Sequence, residues 1–387
     1  MPTEQIYGLT PEQSDLFQLA REFGNEQLAP FALEWDLKKE FPVDVLRRAA
    51  ELGMGGMYVG EDVGGSGLSR LEAALIVEGL AYGCPSIASY ISIHNMVAGM
   101  IDRYGNDEQR NRWLPDLCSM AQLGSYCLTE AEAGSDAAAL RTRADRDSDT
   151  YVLNGAKQFI SGSGSSGIYV VMARTSADGA RGISAFVVED GTPGLSFGAD
   201  EVKMGWNAQP TREVRFDDVR VPTDHRLDTE GMGFPIAMSG LDGGRVNIAA
   251  SSLGGAQAAY DKALGYVEQR TAFGQKVAEF QATQFRIADM ATELEASRLL
   301  LHRAARALDD GDPRATELCA MAKRHITDTC FDIANNALQL HGGYGYLHEY
   351  GIEKIVRDLR VHQILEGTNE IMRVIISRAQ HAPKVAS

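Results

Sequence analysis

Apolar residues along this chain follow a helical period, switch to short β-rich runs, then return to a helical period, and that double switch limits the possible folds more than any single motif. The first 124 residues read as helices. Thr10-Pro11-Glu12-Gln13 combines a capping residue, a proline for the first turn and a glutamine at the reciprocal position, and Phe17, Ala20 and Phe23 follow at helical spacing. Pro42 opens a helix through Val45 and Leu46 that stops at the glycines after Leu52, and Gly60 to Gly67 reads as a flexible loop. Leu71–Tyr82 and Ile87–Ile101 read as helices, the second so apolar that it belongs inside. Asn106-Asp107-Glu108 starts a short helix that Pro115 is expected to end.

Between residues 125 and 235 the pattern is β. Tyr151–Leu153, Ile168–Met172, Ile183–Val188, Leu195–Phe197 and a run through Val214, Phe216 and Val219 are separated by Gly, Asp, Ser and Pro, which predicts a small antiparallel barrel or sandwich. From about Met232 the helical period returns. Ile287, Ala291, Leu294, Leu301, Ala305 and Leu308 mark one face of a long helix that Gly311-Asp312-Pro313 breaks. A second spans Leu318–Leu340, and a last begins near Asn369. The expected fold is α+β: an all-α domain over 1–124, an antiparallel β-barrel domain over 125–235 and an α-helical bundle over 236–387.

The chain has 387 residues, enough for two or three domains, and a formal net charge of −16 that argues against nucleic acid or an anionic membrane as the main partner. No apolar run reaches the ~18 residues of a membrane span. The start, Met1 to Asp15, shows neither a basic nor an apolar signal region. Cys84, Cys118, Cys127, Cys319 and Cys330 are odd in number and form no CxxC pair, which suits a reducing compartment and no zinc site. A cytoplasmic location is expected, or the mitochondrial matrix if a transit peptide has been removed. His302, His325, His341 and His348 lack ligand spacing and read as surface or packing residues. Gly162 to Gly167 matches GxGxxG but leads into the strand at Ile168 rather than a helix, so it reads as a loop and not as a dinucleotide site.

Four stretches carry chemistry. Tyr126-Cys127-Leu128-Thr129-Glu130-Ala131-Glu132-Ala133-Gly134-Ser135-Asp136 offers small residues and hydroxyls to a flat heterocycle. Phe159-Ile160-Ser161 places an aromatic two residues before a hydroxyl. Arg270-Thr271-Ala272-Phe273-Gly274, with Phe280-Gln281, offers a guanidinium to a pyrophosphate. Gln339-Leu340-His341-Gly342-Gly343 and Leu365-Glu366-Gly367-Thr368-Asn369-Glu370 end and open helices, and a loop carboxylate such as Glu366 in a dry pocket becomes a stronger base. Asn369 and Glu370 read by themselves as solvated or capping residues.

These stretches, in this order and at this spacing, resemble the acyl-CoA dehydrogenase family over essentially the whole chain. The resemblance implies FAD as cofactor, a homotetramer with FAD bound partly across a subunit interface, and an electron-transferring flavoprotein as acceptor. No membrane insertion is expected, since no apolar run is long enough. The resemblance assigns Tyr126, Cys127, Leu128, Thr129, Gly134, Ser135, Phe159, Ile160 and Ser161 to the flavin. Arg270, Phe273, Phe280 and Gln281 would meet the FAD of a neighbouring subunit, Gln339 to Gly343 its adenosine and pyrophosphate, and Thr368, Asn369 and Glu370 the cofactor too. Many members carry Trp where this chain has Phe159. Ser135, Asp242, Arg245, Gly367 and Arg378 would contact the acyl-CoA. A minority of the family places its base just before the arginine matching Arg245. Here that position is Gly244, and Glu366 holds the majority position. Glu366 would take the α-proton while hydride leaves the β-carbon, with the thioester carbonyl polarised by the Glu366 N–H and a ribityl hydroxyl. Tyr90–Asn95, Phe159–Gly162 and Leu241–Ala249 resemble the branch acting on isobutyryl-CoA in valine breakdown, with methacrylyl-CoA as product. Short straight-chain or 2-methylbutyryl substrates stay open, as do a flavin oxidase or monooxygenase on the same fold and an inactive scaffold homologue.

Overall fold

The computed structural model describes residues 8–381, so the first seven residues of the N-terminal signal reading lie outside it. The N-terminal unit holds α1 (Pro11–Phe23), α2 (Ala32–Lys38), α3 (Val43–Glu51), α4 (Arg70–Gly83), α5 (Pro85–Tyr104) and α6 (Asp107–Cys118). The capping box at Thr10 and Gln13 forms as expected, and α5 is buried along nearly its whole length. Two details differ from the sequence reading. Residues Glu61–Val63 form one tight 3₁₀ turn inside the glycine loop. Pro115 does not end α6, which runs on to Cys118. A proline removes one helical N–H bond, and burial of Leu114, Leu117 and Cys118 outweighs that loss.

The middle unit is one eight-stranded sheet of β1 (Gly124–Cys127), β2 (Arg143–Asp147), β3 (Thr150–Ser161), β4 (Ile168–Arg174), β5 (Ile183–Glu189), β6 (Leu195–Phe197), β7 (Thr211–Pro222) and β8 (Arg226–Leu227). The order is β6-β7-β3-β2-β4-β5-β8, with β1 added beside β4. Most pairs are antiparallel, whereas β1 runs parallel to β4, as does the start of β2. β4 and β5 are buried on both faces, one where Tyr169 and Phe186 join Tyr151 of β3 in a core cluster, the other against α5, α6 and the start of α7.

α7 (Gly233–Gln269) then runs for 37 residues to a small hairpin of β9 (Thr271–Ala272) and β10 (Gln275–Lys276). α8 (Gln281–Asp309), α9 (Ala315–His341), α10 (Ile352–Arg360) and α11 (Asn369–His381) complete the C-terminal unit. α7 packs against α4, α5, α8 and α9 in one continuous core with the N-terminal helices. Among the described residues no helix is long and apolar enough to cross a membrane, and no three His, Cys, Asp or Glu side chains gather as a metal site. His302 and His341 are buried packing residues, and His348 pairs with Glu353.

Candidate active site

Glu366 lies in the loop between α10 and α11, with φ 57°, and Gly367 follows at φ 88°. Two consecutive left-handed residues reverse the chain sharply; glycine takes that conformation freely, but for glutamate it costs on the order of 1–3 kcal/mol and marks a constrained position. The carboxylate points at α7 where Gly244 has no side chain: a Cβ there would sit 2.8 Å from the Glu366 Cδ. Its Oε2 is buried without a hydrogen-bond partner. Burial pushes the Glu366 carboxyl up to about 7, against the opposing pull of the Arg245 and Lys323 cations. The Tyr126 hydroxyl and the Asn247 Nδ2 are also buried and unpartnered, and both Tyr126 and Tyr58 feel the Glu366 charge. Unsatisfied buried polar atoms around one carboxylate are a place built for a ligand's polar atoms. Tyr58 is roofed by the Arg70 guanidinium, 3.7 Å from its ring centre.

The second cluster lies where β1 leaves the sheet. Thr129 O accepts the Gln158 N–H at 2.8 Å. Lys157, with no exposure, donates to Leu128 O at 3.1 Å and to Glu130 Oε1 at 2.7 Å. Burial raises the Glu130 carboxyl, but Lys157 and the backbone N–H groups of Arg141 and Thr142 hold it below the usual range. This buried pair braces the Tyr126–Thr129 segment from behind. Cys127, Leu128 and Ile160 bury their side chains in the core, so only their backbones face a ligand. Phe159 is the opposite: at φ 60°, where the β3–β7 register slips between Lys157 and Ile160, it presents a ring that is 64% exposed. Ser161 O accepts from Ser125 Oγ, while Gly134 and Ser135 sit exposed on the rim.

The third cluster lies at the far end of α9. A groove of about 390 Å³ is lined by Arg270, Gln339, His341, Gly343 and Tyr344, with Leu340 and Gly342 in its wall. Arg270 sits over the Tyr344 ring at 5.7 Å, and His341 stacks on Tyr266 at 4.5 Å. Beside it Phe273, 98% exposed at φ 52°, meets Phe280 edge to face at the hairpin tip, just before Gln281 opens α8. None of Glu366, Gly244, Arg245, Lys323, Tyr58 and Tyr126 lines this groove.

The remaining expected residues divide. Arg245 is buried, bonded to Asp242 at 2.6 Å, and its Nε lies 3.4 Å from Glu366 O. Asp242 also accepts from Thr316 at 2.6 Å. Thr368 Oγ1 accepts the Ile371 N–H at 3.4 Å, as a cap to α11. Glu370 is exposed, as expected of a solvated residue. Asn369 is not solvated: it is buried and bonded to Lys323, Thr327 and Asp328, because the first turn of α11 docks against α9. Arg378 is exposed on α11. Tyr90, His94 and Asn95 are buried in seams, Tyr90 and His94 bonding Gly124 and Asn95 bonding Met54 and Met57. Tyr58, Arg70, Asn247 and Lys323 escaped the sequence reading. Lys323 alone left a signal there, as a charge within the apolar stripe of Leu318, Cys319, Ala322, Ile326 and Cys330.

The chain matches three family profiles in sequence: acyl-CoA dehydrogenase N-terminal domain over residues 10–121, middle domain over 125–219 and C-terminal domain over 231–381. It is 55% identical over 372 residues to the mitochondrial isobutyryl-CoA dehydrogenase of Bos taurus, covering 96% of this chain and 89% of that one. The Dictyostelium discoideum protein of the same name is 54% identical over the same shares. The butyryl-CoA dehydrogenase structure from Megasphaera elsdenii superposes with a TM-score of 0.94 at 40% identity, covering 97% of this chain and 99% of that one.

Proposed function

This chain belongs to the acyl-CoA dehydrogenase family, and from that premise we propose that it oxidises isobutyryl-CoA to methacrylyl-CoA with Glu366 as the base. The observation that carries the reading is the desolvated Glu366 Oε2, buried without a partner opposite Gly244. A carboxylate kept dry and poised near neutrality is a competent base for a weakly acidic C–H, since its own hydrogen bonds do not compete for the proton. The neighbouring cations Arg245 and Lys323 keep a share of it ionised. No backbone carbonyl among the described residues accepts the Glu366 N–H, which leaves that donor for the thioester oxygen, where enolate-like charge grows.

The donor set supports FAD. The exposed Phe159 face, the unpartnered Tyr126 hydroxyl and the Thr129 segment would hold a flat ring, and Arg270 with Gln339 to Gly343 would hold pyrophosphate and adenosine. When bound, FAD accepts the hydride that leaves the substrate β-carbon. Phe273, 98% exposed at the hairpin tip, is available to a neighbouring subunit, and the reading includes a homotetramer whose neighbouring subunits complete one another's cofactor sites. Reoxidation by an electron-transferring flavoprotein is part of the same reading, as are Ser135, Asp242, Gly367 and Arg378 toward the acyl-CoA.

A short acyl group is supported by crowding: a Cβ on Gly243 would lie 2.8 Å from the Arg70 guanidinium, and one on Gly99 would lie 2.5 Å from the Tyr58 ring. The test is anaerobic reduction of the purified yellow protein by isobutyryl-CoA and by butyryl-CoA. Faster bleaching with isobutyryl-CoA supports the substrate, a higher kcat/KM with butyryl-CoA rejects it, and rapid reoxidation of the reduced flavin by air would favour an oxidase.

A further inference from the structure

Lys323 has no exposure, yet it carries an ammonium into the apolar stripe of α9. A buried charge is costly unless every donor is used well. Its Nζ donates to Gly367 O at 2.7 Å and to Asn369 Oδ1 at 2.8 Å. Asn369 in turn donates to Thr327 Oγ1 at 2.9 Å and to Asp328 Oδ1 at 2.7 Å. One turn of α9 therefore grips both the loop carrying the base and the start of α11.

Glu366 and Gly367 are the two consecutive left-handed residues. Each of their carbonyls is met by a buried cation from a different helix, Arg245 on α7 for Glu366 and Lys323 on α9 for Gly367. An unfavourable conformation of Glu366 persists only where its surroundings fix it, and these two cations do so while leaving Oε2 unbonded.

We propose that Lys323 is a positioning residue for the base: by holding the Gly367 carbonyl it keeps the Glu366 carboxylate aimed into the pocket at Gly244 with a lone pair free. This rests on Glu366 being the base. Charge adds to geometry. Burial brings Lys323 down to about 7, opposed by Glu366 and, more weakly, by Asp328 and Glu370, while Arg245 pushes the same way as burial. Around Glu366 stand Arg245, Lys323, Tyr58 and Tyr126. Removal of the lysine charge leaves Arg245 as the one cation lowering the carboxyl.

The experiment compares Lys323→Met and Lys323→Arg holoenzymes with the wild type by anaerobic flavin reduction with isobutyryl-CoA across pH, alongside melting temperature and bound FAD. Lys323→Met should keep its FAD and lose on the order of 10–100-fold in kcat with KM little changed, the cost of a misaimed base. Its rate should rise with pH at a midpoint higher than the wild type's, and Lys323→Arg should recover part of both effects. A Lys323→Met enzyme with the wild-type rate and midpoint would make Lys323 a packing residue only. If methionine prevents folding, Lys323→Gln is read by the same two criteria. Failure of the base assignment itself shows separately, as near-normal flavin reduction by Glu366→Gln.

Discussion

Gly244 on α7 and Glu366 in the loop before α11 face each other so closely that a Cβ on Gly244 would lie 2.8 Å from the Glu366 Cδ and nearer still to Oε2. Gly244→Ala should therefore swing the carboxylate out of its pocket. The expected result is a fall of at least about tenfold in kcat, since small misplacements of a reacting group are costly, with FAD content unchanged. Stopped-flow flavin reduction checks it.

Glu366 should impose a pH dependence with a definite sign. Its carboxyl is raised from 4.5 to about 7 in the fold, so proton abstraction should speed up as pH rises through about 7. For stability, a raised carboxyl contributes fully below about 4.5 and its contribution is lost as pH climbs through about 7. Glu366→Gln should accordingly melt higher than the wild type at pH 8, by at most about 3 kcal/mol in stability. The difference should shrink toward pH 5.

Lys157 and Glu130 form a buried ion pair at 2.7 Å behind the Tyr126–Thr129 segment. Lys157→Met leaves Glu130 desolvated without its cation, for an expected loss of about 3–5 kcal/mol. The double variant with Glu130→Gln should be less damaged than the single one. Denaturant titration and the amount of retained FAD report both effects.

Much of this site was legible in the sequence because its parts are local. Glu366 stands between an apolar pair and a Gly-Thr step, and the glycines at 342 and 343 close a helix; both signals need only a few neighbours. Tyr58 and Asn247 depend on packing between distant elements, which spacing does not encode, and Lys323 shows in sequence only as a charge within an apolar helical stripe. α7 shows the same limit. Its helical onset near Met232 was readable, but the role of Gly243, Gly244, Gly254 and Gly255 was not. In the fold they are places of close approach: a Cβ on Gly254 would lie 2.9 Å from the Ala81 Cβ, and one on Gly255 2.8 Å from Pro85. Pro115 misled for the converse reason, since burial of the residues after it outweighs one lost hydrogen bond.

Phe273 should matter for assembly rather than for folding of the single chain. The ring is 98% exposed, so Phe273→Ala removes almost no internal packing. The expected result is an unchanged far-ultraviolet spectrum together with a smaller particle or a loss of FAD on gel filtration. An unaltered particle size with full FAD would exclude Phe273 from a role in assembly.

The most direct test of the central claim is anaerobic mixing of Glu366→Gln holoenzyme with isobutyryl-CoA while flavin absorbance is followed. The variant should stay yellow, bind the thioester and fail to bleach. Bleaching at near the wild-type rate would show that another group takes the α-proton.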